Sequence, residues 1–192
     1  MQRPEALGLR FGWPMATLRL PPPALLVVAA FSRHDAALEW ARQKLAARFG
    51  PIALASPPYA FHHTAYYEAQ MGPGLVKLLW AFADLVPAES LAEIKLATNQ
   101  LENELAQQKR YTEPRPLNLD PGLLTLGKFV LATTKDQQHR IYLGRGIFAE
   151  VTLRYRAGTY RPWPWTYADY REPLVLDFLG QARDYYRRRL RQ

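Results

Sequence analysis

Three observations place this chain in the α+β class. Ala24–Phe31 (ALLVVAAF) is a continuous apolar run of strand length, the pattern of a buried strand. Ala88–Gln108 carries Leu91, Ile94, Thr98, Leu101 and Leu105 as a helical stripe, with Glu93, Lys95, Glu102 and Glu104 flanking it or facing away. Further on, Ile147, Ala149, Val151, Leu153 and Tyr155 alternate with Phe148, Glu150, Thr152 and Arg154, which predicts a half-buried strand. The order strand–helix–strand–strand–helix over residues 24–108 predicts a ferredoxin-like split βαββαβ unit. A β-hairpin extension and a C-terminal helix follow it.

Residues 1–23 read as a loosely ordered leader, because Pro21-Pro22-Pro23 continues neither a helix nor a central strand. Met15 is an alternative start. Residues 24–192 read as one α+β domain. After the first strand, Ser32 or Asp35 caps a helix over Ala36–Phe49, with Ala37, Leu38, Ala41, Leu45 and Phe49 on one face. Gly50-Pro51 stops it. Ile52–Thr64 is broken by proline and ends β-rich. In Leu75–Val86, residues Val76, Leu78, Trp80 and Phe82 alternate as in a strand, although a helix also fits. Asp120-Pro121 has the form of an N-cap followed by proline in the first turn, predicting a short helix over about Pro121–Leu131. Arg140–Leu143 and Ile147–Tyr155 form a hairpin across Gly144-Arg145-Gly146. The last helix lies near Leu174–Leu190, with Leu174, Phe178, Ala182 and Tyr185 on one face.

Composition narrows the function classes. Of 192 residues, 48% are hydrophobic and 22% charged, which excludes wholesale disorder. With no cysteine, there is no disulfide framework and no cysteine-ligated metal, and a reducing cytoplasm is the expected compartment. No stretch reaches the roughly 18 uninterrupted apolar residues of a membrane helix. The net charge is +8, but +2 of it lies in residues 1–23. Another +4 comes from Arg187, Arg188, Arg189 and Arg191 at the C-terminus. The basicity sits mainly at the ends, which weakens the case for a basic groove across the fold.

Chemistry concentrates in residues 114–146. There Asn118, Asp120, Thr133, Thr134, Lys135, Asp136, His139, Arg140 and Arg145 stand among Gly122, Gly127, Gly144 and Gly146. Two phrases in this stretch, NLDPG (Asn118–Gly122) and TKD (Thr134–Asp136), are similar to the marks of the bacterial domain of unknown function 4416 family. FGPI (Phe49–Ile52), AEIKLATNQLE (Ala92–Glu102) and HRIYLGRGIFAEVTL (His139–Leu153) share its style, and the resemblance spans roughly residues 24–190. It implies a bacterial protein and carries no assigned activity or site residues. Some members bear a GTP-binding label.

The residues do not support that label. Gly122 to Lys128 fits seven positions of a phosphate-binding loop, but Phe129 stands where Mg²⁺ ligation needs a hydroxyl. Thr134-Lys135-Asp136 differs from the guanine-reading motif, which places one residue between Lys and Asp; here Gln137 stands at the Asp position. His62-His63-Thr64 is a lone His-x-Thr triplet, and one histidine cannot serve as acid and base on opposite sides of a phosphate. His62, His63, His139, Asp120, Asp136 and Glu150 show no metal-ligand spacing, so no metal site is expected.

The sequence therefore points to an anionic small molecule, phosphate-bearing or a nucleotide, with the cofactor unknown. Asn118, Asp120, Lys135, Arg140 and Arg145 are the expected ligand contacts. Asp120, Asp136 and His139 are the candidates for acid–base chemistry. The alternative is an RNA- or ribosome-associated protein using the arginine tail with Trp163, Trp165, Tyr167 and Tyr170. A pure protein-interaction module is a third reading.

Overall fold

The computed structural model describes residues 19–62 and 67–191. Nine strands form one sheet: β1 (Ala24–Ser32), β2 (Ile52–Ala55), β3 (Tyr59–Ala60), β4 (Val76–Val86), β5 (Asn118–Leu124), β6 (Lys128–Thr133), β7 (Ile141–Gly144), β8 (Ile147–Arg156) and β9 (Thr159–Pro162). The helices are α1 (Asp35–Phe49), α2 (Glu68–Met71), α3 (Leu91–Gln107) and α4 (Pro173–Arg189). The strands run in the order β2-β4-β1-β5-β6-β8-β7, with β3 on β4 and β9 on β8, and every pairing is antiparallel.

The continuous apolar run of β1 follows from its position. It lies between β4 and β5 and both its faces are covered. Ala24, Leu26, Val28 and Ala30 pack toward α1 and α3. Leu25, Val27 and Ala29 pack toward α4, against Val175, Phe178, Leu179 and Ala182. A strand buried on two sides has no polar position to alternate with, so period two disappears from its sequence. The α+β class is as expected, although the sheet is far larger than a four-stranded unit.

Most elements lie within a residue or two of their expected limits. The helix expected over Pro121–Leu131 does not form. That stretch is the hairpin β5–β6, and Asp120 is a mid-strand residue opposite Ala29 rather than a cap. Asp-Pro-Gly carries a strong local turn signal, but Leu119 and Leu123 belong to the core under α1 and α3. Leu124, Phe129 and Leu131 fill the core under α4. Burial on two faces outweighs the local preference.

In β8 the register against β6 slips by one residue at Thr152. Ile147 and Ala149 therefore join one core and Leu153 the other. The strand is buried on both sides, so Glu150 lies inside rather than on a wet face. Of the expected leader, residues 19–23 are exposed, and the Pro23 carbonyl accepts a 2.7 Å bond from the Tyr186 hydroxyl. Residues 1–18 lie outside the described residues. Among those described, no helix is long and apolar enough to cross a membrane.

Gly122 marks the tightest approach in the hairpin. A Cβ there would stand 2.7 Å from both the Phe129 ring and the Val130 carbonyl oxygen, whereas one on Gly127 would meet nothing within 4 Å. Gly122→Ala is expected to cost about 1–3 kcal/mol by overpacking and Gly127→Ala much less, as read by chemical denaturation of each variant.

Candidate functional site

β5 and β6 pair only from Gly122–Leu124 to Phe129–Leu131. Beyond that point they part: β5 continues back to Asn118 beside β1, while β6 runs on to Thr133 beside β8. The gap between them is a cavity of about 650 Å³, reached by side chains from both faces of the sheet. Lys95, Asn99, Glu102 and Asn103 enter from α3, and Asp169 and Tyr170 from the 3₁₀ turn before α4. Thr133 and Lys135 come from the end of β6 and the loop after it.

The parting leaves backbone groups of β5 without a strand partner, and α3 supplies the replacement. The Leu119 N–H donates to Glu102 Oε1 at 2.7 Å, and the Leu119 carbonyl accepts from Lys95 Nζ at 2.8 Å. Backbone groups two residues apart in a strand point to the same side. Pro121, which has no N–H, therefore lacks its donor on the side from which β6 has departed. Proline in an interior strand is tolerated where the ladder does not need that donor.

Five cationic side chains line the cavity with four carboxylates, and most are joined pairwise. Lys95 Nζ also reaches Asp120 Oδ1 at 3.2 Å, and Asn118 Nδ2 donates to Asp120 Oδ2 at 2.8 Å. Arg115 Nη2 donates to Glu102 Oε2 at 3.0 Å and to Asn118 Oδ1. Lys77 Nζ donates to Asp169 Oδ2 at 2.6 Å and is enclosed by the Phe31, Phe61 and Tyr170 rings. Arg140 bonds Glu150 Oε2 at 2.8 Å through Nε, the Lys135 carbonyl through Nη1 and the Tyr167 hydroxyl through Nη2.

The electrostatics follow from this packing. Burial alone would raise the Asp120 carboxyl, but the Lys95 and Lys77 ammonium groups and the bonds from Lys95 and Asn118 hold it below its ordinary range. Burial pushes Glu102 up, offset only in part by Lys95, Arg115 and the Leu119 amide. Tyr170 is raised by burial and then by the nearby carboxylates Asp169 and Asp120. A carboxylate held low is a weak general base at neutral pH. Asp120 is thus suited to accepting hydrogen bonds and holding charge.

Of the residues expected at the site, Asn118, Asp120, Lys135 and Arg140 line this one cavity. Arg145 does not: it is exposed on the β7–β8 turn and pairs with Glu93. Asp136 is exposed and outside the wall. His139 bonds Glu150 at 3.2 Å and stacks on Trp165, and it also lies outside the wall. His62 is exposed, and its partners in the His-x-Thr triplet, His63 and Thr64, fall outside the described residues. Among the described residues no group of three or more His, Asp or Glu is placed to hold a metal.

Sequence reasoning missed Lys77, Lys95, Glu102, Arg115 and Asp169, and weighed Glu150 only as a metal ligand. Three of these left a readable signal. Lys95 and Glu102 are seven residues apart, in line with Leu91, Thr98 and Leu105 along α3, and Lys95 is buried with those three. Lys77 precedes Leu79 and Ala81 on one face of β4, a lysine on an otherwise apolar strand face.

The aromatic stretch and the arginine tail occupy opposite ends of α4, roughly 24 Å of helix apart. Arg171 ties Trp163 and Thr166 to its beginning, and Arg187, Arg188 and Arg189 form its last turn. The Trp163 ring is covered by Arg154 at 4.1 Å and stacked against Trp165 at 5.1 Å.

Fold and site together define an α+β protein with a polar, charge-rich cavity opened inside its antiparallel sheet. Residues 22–186 match the family model described as Domain of unknown function (DUF4416), and the chain belongs to that family. No curated protein matches it.

Arg140 and Glu150 are each about 1% exposed at their side chains, so removing one strands the other in the interior. Arg140→Leu is expected to cost about 3–5 kcal/mol, and the Arg140→Leu/Glu150→Leu double variant to recover part of that loss. Denaturant titration of both variants checks it.

Proposed function

We propose that this protein binds an anionic small molecule in the cavity between β5 and β6. One observation carries the reading: the carboxylates of the wall are already engaged by protein donors, while donor capacity remains on the cations. Asp120, Glu102 and Glu150 each have both oxygens bonded within the protein. Lys95 spends two of its three protons, and Arg115 engages through Nη2 alone. A ligand entering such a wall satisfies it best with acceptor oxygens, and an anion also offsets the excess positive charge. The volume falls in the range of small-molecule sites, and Lys135 stands exposed at the rim.

The same reading accounts for an otherwise costly design. Burying several ion pairs seldom improves stability over apolar packing, so selection for a site explains them better than selection for a core. We also read β1, β2, β4 and β5, with α1 and α3, as the expected split βαββαβ unit. The order β2-β4-β1-β5 supports it, and the cavity then lies where that unit meets β6. An RNA-binding reading is less well supported, because it would require one surface to join two groups that α4 separates.

A thermal-shift titration with inorganic phosphate, pyrophosphate and citrate tests the proposal. At least one is expected to raise Tm in a concentration-dependent way. Lys135→Ala should weaken that anion about tenfold or more while changing stability by less than about 0.5 kcal/mol. No shift with any of the three, or full binding by Lys135→Ala, contradicts the reading.

A further inference from the structure

We infer that the anion is the phosphate of a sugar phosphate, bound through its hydroxyl groups as well as its charge, and that no nucleobase is recognised. This rests on the anion-binding reading above and narrows it.

The inference starts from the wall that the cations leave over. Asn99 and Asn103 on α3 and Gln137 on the β6–β7 loop line the cavity, together with Thr133 and Thr134, the Thr133 hydroxyl also accepting from the Lys135 N–H. A carboxamide presents a donor and an acceptor side by side, and a hydroxyl both donates and accepts. Such a wall matches a ligand carrying several hydroxyls. Inorganic phosphate has at most two hydroxyl donors on one small centre and would leave most of these paired donors and acceptors unused. Asp120, bonded through both oxygens within the protein but 28% exposed at its side chain, keeps lone pairs that a ligand hydroxyl can reach as well, while Lys95 and Arg115 meet the phosphate.

The aromatic residues argue against a base. Recognition of a nucleobase ordinarily uses an open ring face, worth about 1–3 kcal/mol per stacked base. Phe31 is packed against Phe61 at 4.8 Å and Tyr67 at 5.0 Å, with Lys77 Nζ 5.2 Å from its centroid. Arg115 lies over Tyr67, and Tyr170 is covered by Lys77 and packed beside Phe129. These rings are committed to one another and to protein cations. Tyr167 is the exposed ring among the described aromatic residues of the wall, at the rim, with its hydroxyl tied to Arg140.

The test is calorimetric titration of the full chain with ribose 5-phosphate, glucose 6-phosphate and fructose 6-phosphate. Inorganic phosphate, free ribose and adenosine monophosphate serve as comparison ligands. The best sugar phosphate is expected to bind about tenfold or more tighter than phosphate or ribose, a gain of about 1.4 kcal/mol or more, and at least as tightly as adenosine monophosphate. Asn99→Leu and Asn103→Leu are expected to weaken it about fivefold or more and to leave phosphate affinity unchanged.

Adenosine monophosphate binding tenfold tighter than every sugar phosphate would overturn this inference and leave the anion reading standing. So would phosphate alone binding as well as the sugar phosphates, or both asparagine variants binding like the parent. If no phosphate compound binds while citrate still raises Tm, this inference alone fails; if citrate gives no shift either, the inference and the anion reading fail together.

Discussion

The bonding of Leu119 is the constraint on which the rest of the architecture depends. A strand inside a sheet needs a partner on each side, and β5 has one on only one side over its first half. An unsatisfied amide and carbonyl at this depth would each cost about 1–3 kcal/mol. Glu102 and Lys95 meet that cost from α3, one accepting from the N–H and the other donating to the carbonyl. The sheet can therefore open without losing its hydrogen-bond balance, and the opening becomes the cavity.

The other charges follow from this arrangement. An ammonium group and a carboxylate brought under a sheet need partners of their own, which Asp120 provides for Lys95 and Arg115 for Glu102. Asn118 bridges the two pairs by donating to Asp120 and accepting from Arg115. Across the gap, Arg140 and Glu150 hold the β6–β7 loop against β8 and the turn carrying Tyr167. The wall is thus built from side chains that restrain one another. That arrangement suits a preorganised binding site, because restrained groups lose less entropy when a ligand arrives.

Much of the fold was legible in the sequence where one rule governed. β1 reads as buried because it is, and α1, α3 and α4 announce themselves by spacing. The reading failed at Asp120-Pro121-Gly122, where three residues with strong turn preferences sit in a strand. Each has a positional reason there. Asp120 is paired with a lysine, Pro121 stands where a donor is not needed, and Gly122 fits under the Phe129 ring. The region of the site was visible as a crowd of polar residues, and four of its expected contacts do converge. Its other half was harder to read: Lys95, Glu102 and Glu150 occupy periodic positions that pass for ordinary surface residues, and Lys77 stands out only against the apolar Leu79 and Ala81 on its strand face. Only the fold, by bringing α3 and the sheet together, sets them around one cavity.

Hydrogen exchange at the Leu119 amide tests this account most directly. The account predicts that this N–H is protected like its neighbours in β5. Glu102→Ala should speed its exchange about tenfold or more, as expected for losing a bond to a charged acceptor, with far smaller changes at Leu123 and Leu124. A Leu119 amide that exchanges as fast as an exposed one, or that keeps its protection in Glu102→Ala, would contradict it.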